Sequence, residues 1–123
     1  MRGDLRKLMY TAPVIPVITI EKLEDALPLA RALVDGGLTV LEITLRTPVA
    51  LDAILLIHEA LPEAITGAGT VLTPAQMQAC VKAGARFMVS PGFTARLLDA
   101  ARDCEIPLLP GVNSPSEVMA LLE

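Results

Sequence analysis

Nine residues decide the fold: Val40-Leu41-Glu42-Ile43-Thr44-Leu45-Arg46-Thr47-Pro48. The apolar run predicts a buried strand that leads into a helix at the proline. Glu42 interrupts this run, and burying an unpaired carboxylate is costly. The nearest opposite charge in the sequence is Arg46, directly after the strand. A carboxylate kept at such a position indicates chemistry, although a structural Glu–Arg pair explains the pattern equally well.

The rest of the chain repeats this strand–helix unit. Strands are predicted over residues 13–20, 38–44, 64–67, 86–90 and 106–109, and helices over residues 21–35, 47–60, 74–83, 94–103 and 115–122. A short leading helix over about residues 1–10 precedes the βα units of residues 13–123. The alternation predicts an α/β fold with a parallel sheet. We predict one domain over residues 1–123, a partial (β/α)8 TIM-type barrel of five βα units, because a full barrel needs about 200 residues or more.

The composition excludes several classes of function. Hydrophobic residues make up 53% of the chain and aromatic residues 2%, so the core is aliphatic. The net charge is -4 and the basic residues are scattered, which argues against a nucleic-acid partner. No apolar run reaches the ~18 residues of a membrane span, and no signal peptide is recognised. Cys80 and Cys104 are interpreted as reduced packing residues of a cytoplasmic protein.

Three predicted helices begin with a hydroxyl residue followed by proline, at Thr47-Pro48, Thr73-Pro74 and Ser114-Pro115. A hydroxyl at the N-cap accepts hydrogen bonds from the free amides of the first turn, and proline at the first helical position loses no bond. We therefore predict that all three hydroxyls cap their helices.

Side chains alternate along a strand, so Glu42 shares a face with Val40 and Thr44. The residues between them are apolar and suit contacts with helices. Glu42 is therefore predicted to point into the barrel near the C-terminal ends of the strands, where active sites of this architecture lie. A carboxylate there can act as a general acid or base, and Arg46 can bind an anionic substrate group.

Small and polar residues follow the next two strands as well, in Gly67-Ala68-Gly69-Thr70 and Ser90-Pro91-Gly92. The Thr70 hydroxyl either contacts a ligand or supports the turn, and the lysine of a phosphate-binding loop is absent. His58 is the only histidine and is predicted to be a solvent-facing helical residue. Without clustered ligands, neither a metal site nor a cofactor is predicted.

Taken together, these residues resemble the 2-keto-3-deoxy-6-phosphogluconate (KDPG) aldolases and the related 2-keto-4-hydroxyglutarate aldolases. The similar segments are residues 13–18, 36–48, 67–72, 90–92 and 107–112. The resemblance implies a (β/α)8 barrel, usually trimeric, that cleaves a keto acid to pyruvate and an aldehyde through a Schiff base on a lysine. It also implies an acid/base role for Glu42, carboxylate binding by Arg46, and pocket roles for Thr70 and Pro91.

The sequence departs from the family at the nucleophile. The family's Schiff-base lysine lies on strand six, whereas the lysines here are Lys7, Lys22 and Lys82, none in a strand interior. We therefore expect an N-terminal segment of a class I aldolase, with pyruvate and KDPG as ligands of the parent enzyme. No Schiff-base lysine is assigned in this chain, and turnover by the chain alone is not expected.

Two other functions are compatible with the sequence. One is a non-catalytic, self-assembling scaffold, because unpaired first and fifth strands predict a homo-oligomer. The other is a different sugar-phosphate barrel enzyme, such as an epimerase, against which the Glu42 and Arg46 pattern counts.

Overall fold

The computed structural model describes residues 5–123 and alternates strands with helices. Its elements are α1 (Leu5–Thr11), β1 (Val17–Ile18), α2 (Leu23–Asp35), β2 (Val40–Thr44), α3 (Ala50–Ala60), β3 (Ile65–Gly69), α4 (Pro74–Lys82), β4 (Met88–Ser90), α5 (Ala95–Arg102), β5 (Leu108–Pro110) and α6 (Pro115–Leu122). The predicted five βα units and leading helix are confirmed. Residues 1–4, the start of the predicted leading helix, lie outside the described residues.

The five strands form one parallel sheet in the order β1-β2-β3-β4-β5. Each strand pairs with its neighbour in sequence, so helices α2 to α5 each connect one strand to the next. Right-handed connections of this kind place these four helices on one face of the sheet. The α/β fold class is confirmed, as a five-strand part of a (β/α)8 barrel.

The two faces of the sheet carry separate cores, as the alternation of side chains predicted. Leu41 and Ile43 lie on the outer face, in a large aliphatic core shared with the helices. Val40 and Phe87 lie on the inner face, in a smaller core with Leu8 of α1. Helix α1 therefore covers part of the inner face, and Glu42 lies on that same face.

The hydroxyl–proline starts behave in two ways. Thr73 and Ser114 are N-caps whose hydroxyls accept from the amides of Gln76 and Glu117, as predicted. The prediction for Thr47 is wrong, because α3 begins only at Ala50 after an N-cap without a side-chain hydrogen bond. The Thr47 hydroxyl instead donates to the carbonyl oxygen of Ile20, 2.6 Å away.

Strands β1 and β5 are the edges of the sheet in the described part of the chain, since each pairs on one side only. Unpaired strand edges favour pairing with another chain. We expect a homo-oligomer that buries residues of β1 and β5, seen by analytical ultracentrifugation at micromolar concentration as a species heavier than 13.0 kDa. A compact, cooperatively folded monomer would contradict this expectation.

No helix within residues 5–123 is long and apolar enough to cross a membrane.

Candidate active site

The C-terminal ends of β2 to β5 lie side by side. Hydrogen bonds join them beyond the strands: the amide of Leu45 donates to the carbonyl of Gly69 at 2.9 Å, and the amide of Gly111 donates to the carbonyl of Ser90 at 2.8 Å. The predicted site residues follow these ends directly. Arg46 comes two residues after β2, Thr70 directly after β3, and Pro91 directly after β4. The sheet therefore brings these three residues to one edge.

Glu42 lies in the middle of β2, opposite Val17 of β1 and Gly67 of β3. Its backbone is held by a hydrogen bond from its amide to the carbonyl of Pro16, 3.0 Å long. The residue is 9% exposed. Its carboxylate lies directly over Gly69, where an added methyl group would overlap Oε1 and lie 2.9 Å from Cδ. Glycine at position 69 thus leaves the space that the carboxylate occupies.

Burial raises the pKa of Glu42 above its usual value of 4.5, and the smaller effect of the nearby Arg46 charge opposes this rise. Desolvation disfavours the charged form of a carboxyl, whereas a neighbouring cation favours it. Among residues 5–123 the structure shows no ion pair between these two side chains. The Arg46 charge still acts on the Glu42 carboxyl without a close ion pair, but burial has the larger effect, so the pKa of the carboxyl group is raised.

Arg46 is exposed and belongs to the irregular segment between β2 and α3. The part of the chain that the structure describes offers its guanidinium no hydrogen-bond or ion-pair partner. An exposed guanidinium beside a site binds carboxylate or phosphate oxygens with two parallel hydrogen bonds. Arg46 is thus exposed at the same end of the sheet as Thr70 and Pro91.

Thr70 has a backbone φ of 58°, which is rare for a residue other than glycine. In a β-branched residue this left-handed conformation is strained, and such strain concentrates at functional sites. The side chain is half-buried beside the end of β3. Pro91 is exposed at the end of β4, and its carbonyl packs so closely on Gly111 that an added methyl group would overlap it.

Sequence reasoning missed the second role of the Gly67-Ala68-Gly69 segment. Both glycines face inward: a side chain at Gly67 would overlap the ring of Phe87, as one at Gly69 would overlap Glu42. The sequence contains a signal for this role: two glycines alternate in a strand whose neighbour carries a buried carboxylate, which indicates that the glycines leave space for it. The glycines make room for the acid and for the aromatic ring beside it.

The remaining reactive side chains lie in helices or near their ends, and of these Lys22 follows β1 at the same end of the sheet as Arg46. Lys7 lies in α1, Lys22 at the start of α2 and Lys82 at the end of α4, and all three are exposed. Cys80 and Cys104 are free and buried, as expected for packing residues, and burial raises the pKa of Cys80 to about 11. His58 is exposed as predicted, with its ring against Gly84. Residues 5–123 hold no cluster of three potential metal ligands.

Comparison with known proteins identifies one family. A family model described as "Aldolase: KDPG and KHG aldolase" matches residues 5–123. The KHG/KDPG aldolase of Escherichia coli (strain K12) is 54% identical over 118 residues, which is 96% of this chain and 55% of that protein. The chain spans about half the length of the curated relatives it matches.

Two solved structures are similar along most of the chain. KDPG aldolase from Legionella pneumophila, with pyruvate captured at low pH as a covalent carbinolamine intermediate, is 58% identical with a TM-score of 0.89. The match covers 91% of this chain and 54% of that one. The aldolase of Zymomonas mobilis ZM4, with 3-phosphoglycerate, is 50% identical with a TM-score of 0.92, over 97% of this chain and 56% of that one.

Proposed function

Because the chain belongs to the KDPG and KHG aldolase family, as its sequence predicted, we propose that it forms the keto-acid-binding and proton-transfer part of a class I, pyruvate-forming aldolase. The observation that carries the proposal is the buried carboxyl group of Glu42, on the inner face of β2, with the exposed Arg46 two residues beyond the end of the same strand. One group can move a proton and the other can bind an anion.

In this proposal Arg46 binds the carboxylate of the keto acid. Its guanidinium presents donors that match two carboxylate oxygens. Thr70 adds a hydroxyl at the end of the neighbouring strand, and Pro91 forms the wall of the pocket on the next one. The keto group then lies toward the centre of the barrel, on the face that carries Glu42.

Glu42 is proposed to transfer protons during carbon–carbon cleavage. A base must take the proton of the hydroxyl on the carbon that becomes the aldehyde. The electron pair of the broken bond is stored in the Schiff base as an enamine, and an acid then protonates its carbon to give the pyruvyl group. A carboxyl group with a raised pKa can serve in both steps.

The nucleophile is proposed to come from outside these 123 residues. A carbinolamine, as in the Legionella relative, forms when an amine adds to the keto carbon. Lys7 and Lys82 are exposed on helices and Lys22 is exposed at the start of α2, and an exposed ammonium group has no desolvation to activate it. A reducing, cytoplasmic compartment is part of the proposal, since both cysteines are free.

The proposal is tested by titrating the 15N-labelled chain with pyruvate. We expect chemical-shift changes at Arg46 and Thr70 that saturate in the millimolar range, that Arg46→Gln abolishes, and that the exposed control Arg31→Gln preserves. Adding borohydride to the pyruvate mixture is expected to leave the three lysines unmodified in the intact mass. Absence of saturable binding would favour the non-catalytic scaffold, and a stoichiometric adduct on Lys22 would overturn the assignment of the nucleophile.

A further inference from the structure

The Thr47 hydroxyl has an unusual partner for a residue that precedes proline near a helix start. It crosses from the segment after β2 to the carbonyl of Ile20, just beyond β1, with a hydrogen bond of 2.6 Å. The N-cap of α3 is Val49, two residues further on, so the Thr47 hydroxyl is not at a capping position. Its hydrogen bond instead ties the segment after β2 to the chain after β1.

The same segment is held at its other end. The Thr44 hydroxyl donates to the carbonyl of Ile18 at 3.2 Å, and the amide of Leu45 donates to the carbonyl of Gly69 at 2.9 Å. Arg46 lies between these anchors and Thr47. No side-chain hydrogen bond of Arg46 is seen within residues 5–123, so the position of its guanidinium depends on how the backbone of this segment is held.

We propose that Thr47 is a positioning residue that holds the backbone of Arg46 at the strand edge, so that the guanidinium meets the carboxylate of the keto acid. The proposal rests on the function proposed above. Without the hydrogen bond to Ile20, residues 45–49 keep the bond from the Leu45 amide to Gly69 and the local bonds that Thr47 and Val49 accept from α3, but the segment loses its side-chain hydrogen bond to the chain after β1. Arg46 must then be ordered when the ligand binds, and ordering a mobile side chain and loop weakens binding.

The test compares Thr47→Val with Thr47→Ser in the same chain. Valine keeps the branched shape and removes the hydroxyl, whereas serine keeps the hydroxyl. Thr11→Val is the matched control, because it removes another hydroxyl-to-carbonyl hydrogen bond, 2.8 Å long, from α1. Two quantities are measured: the pyruvate dissociation constant by NMR titration, and the backbone order parameters of residues 45–49.

We expect Thr47→Val to weaken pyruvate binding about 3–10-fold, the usual effect of one lost hydrogen bond. Order parameters should fall in residues 45–49, while Thr47→Ser and Thr11→Val should stay within about twofold of the parent affinity. Unchanged affinity and order in Thr47→Val would overturn the positioning role, even if that variant were less stable.

A loss of affinity in Thr47→Val without any loss of order would also overturn it. If the parent chain binds no pyruvate, the proposed function fails, and with it the ligand that this inference assigns to Arg46. These two failures can be told apart: failure of the proposed function is seen in the parent chain, whereas failure of the positioning role is seen only in Thr47→Val.

Discussion

We expect Glu42→Gln to lower turnover about 10²–10⁴-fold, the usual contribution of general acid–base catalysis. The measurement uses a fusion in which these 123 residues replace the matching part of the Escherichia coli relative, so that a Schiff-base lysine is supplied. Glutamine keeps the shape that fits over Gly69 but cannot exchange a proton. Glu59→Gln, which alters an exposed carboxylate on α3, is the control and is expected to leave turnover unchanged.

The same variant separates catalysis from stability. The pKa of Glu42 is raised by burial, so the folded state binds this proton more tightly than the unfolded chain does. The contribution of the group to stability is therefore full below about pH 4.5 and is lost as the pH rises toward the folded pKa. Glutamine does not titrate, so the stability of Glu42→Gln relative to the parent should increase as the pH rises from 4.5 upward. Urea unfolding of the 123-residue chain at several pH values measures this.

A variant that is less active and no less stable at neutral pH would assign Glu42 to chemistry. Unchanged turnover in the fusion would assign Glu42 to structure. A loss of stability that grows with pH would show that the carboxylate has a stabilising partner, contrary to the burial effect described above.

The sequence predicted the order and type of the elements because their signals are local. Apolar spacing, the N-cap hydroxyls of Thr73 and Ser114, and the glycines that end α2 each act within one helix or strand. The extents of the strands were less predictable. The predicted first strand, residues 13–20, starts only at Val17, since Pro13 and Pro16 have no amide hydrogen to donate, and its pairing with β2 ends at Ile18.

Strand β3, in contrast, extends further toward its C-terminal end than predicted. It was predicted to end at Gly67 and instead continues to Gly69, paired with Thr44. Glycine disfavours strands when considered alone. Here the missing side chains make room for Phe87 and Glu42, and this tertiary benefit outweighs the local preference. Such a benefit depends on a neighbouring strand and is invisible to local propensity.

The candidate site likewise has features that the sequence predicts and features that depend on tertiary contacts. A parallel sheet predicts that residues following β2, β3 and β4 meet at one edge, and they do. The direction of the Glu42 pKa shift could not be predicted from the sequence, because burial and the Arg46 charge shift this pKa in opposite directions. The bond from Thr47 to Ile20 joins residues 27 positions apart, which no capping rule anticipates.

Phe87 connects the small inner core to Glu42. It is 1% exposed and packs with Leu8 and Val40 between α1 and the sheet. Its ring lies over Gly67 of β3. The Glu42 carboxylate lies over Gly69, two residues further along the same strand. The ring therefore lies next to the carboxylate along β3, on the side toward α1, and separates it from the end of the barrel that α1 covers.

We expect Phe87→Ala to lower the free energy of unfolding by about 3–5 kcal/mol, as truncation of a buried aromatic ring usually does. Since a whole domain is stable by only about 5–15 kcal/mol, this is a large loss. Urea unfolding measures it, with the half-buried Phe93→Ala as a control expected to lose about 1 kcal/mol.

The cavity left in Phe87→Ala also admits water beside the Glu42 carboxylate. The pKa of Glu42, followed by 13C NMR, should therefore fall toward 4.5 in Phe87→Ala and less in Phe87→Leu. An unchanged pKa in a folded Phe87→Ala would show that other groups keep this carboxyl dry.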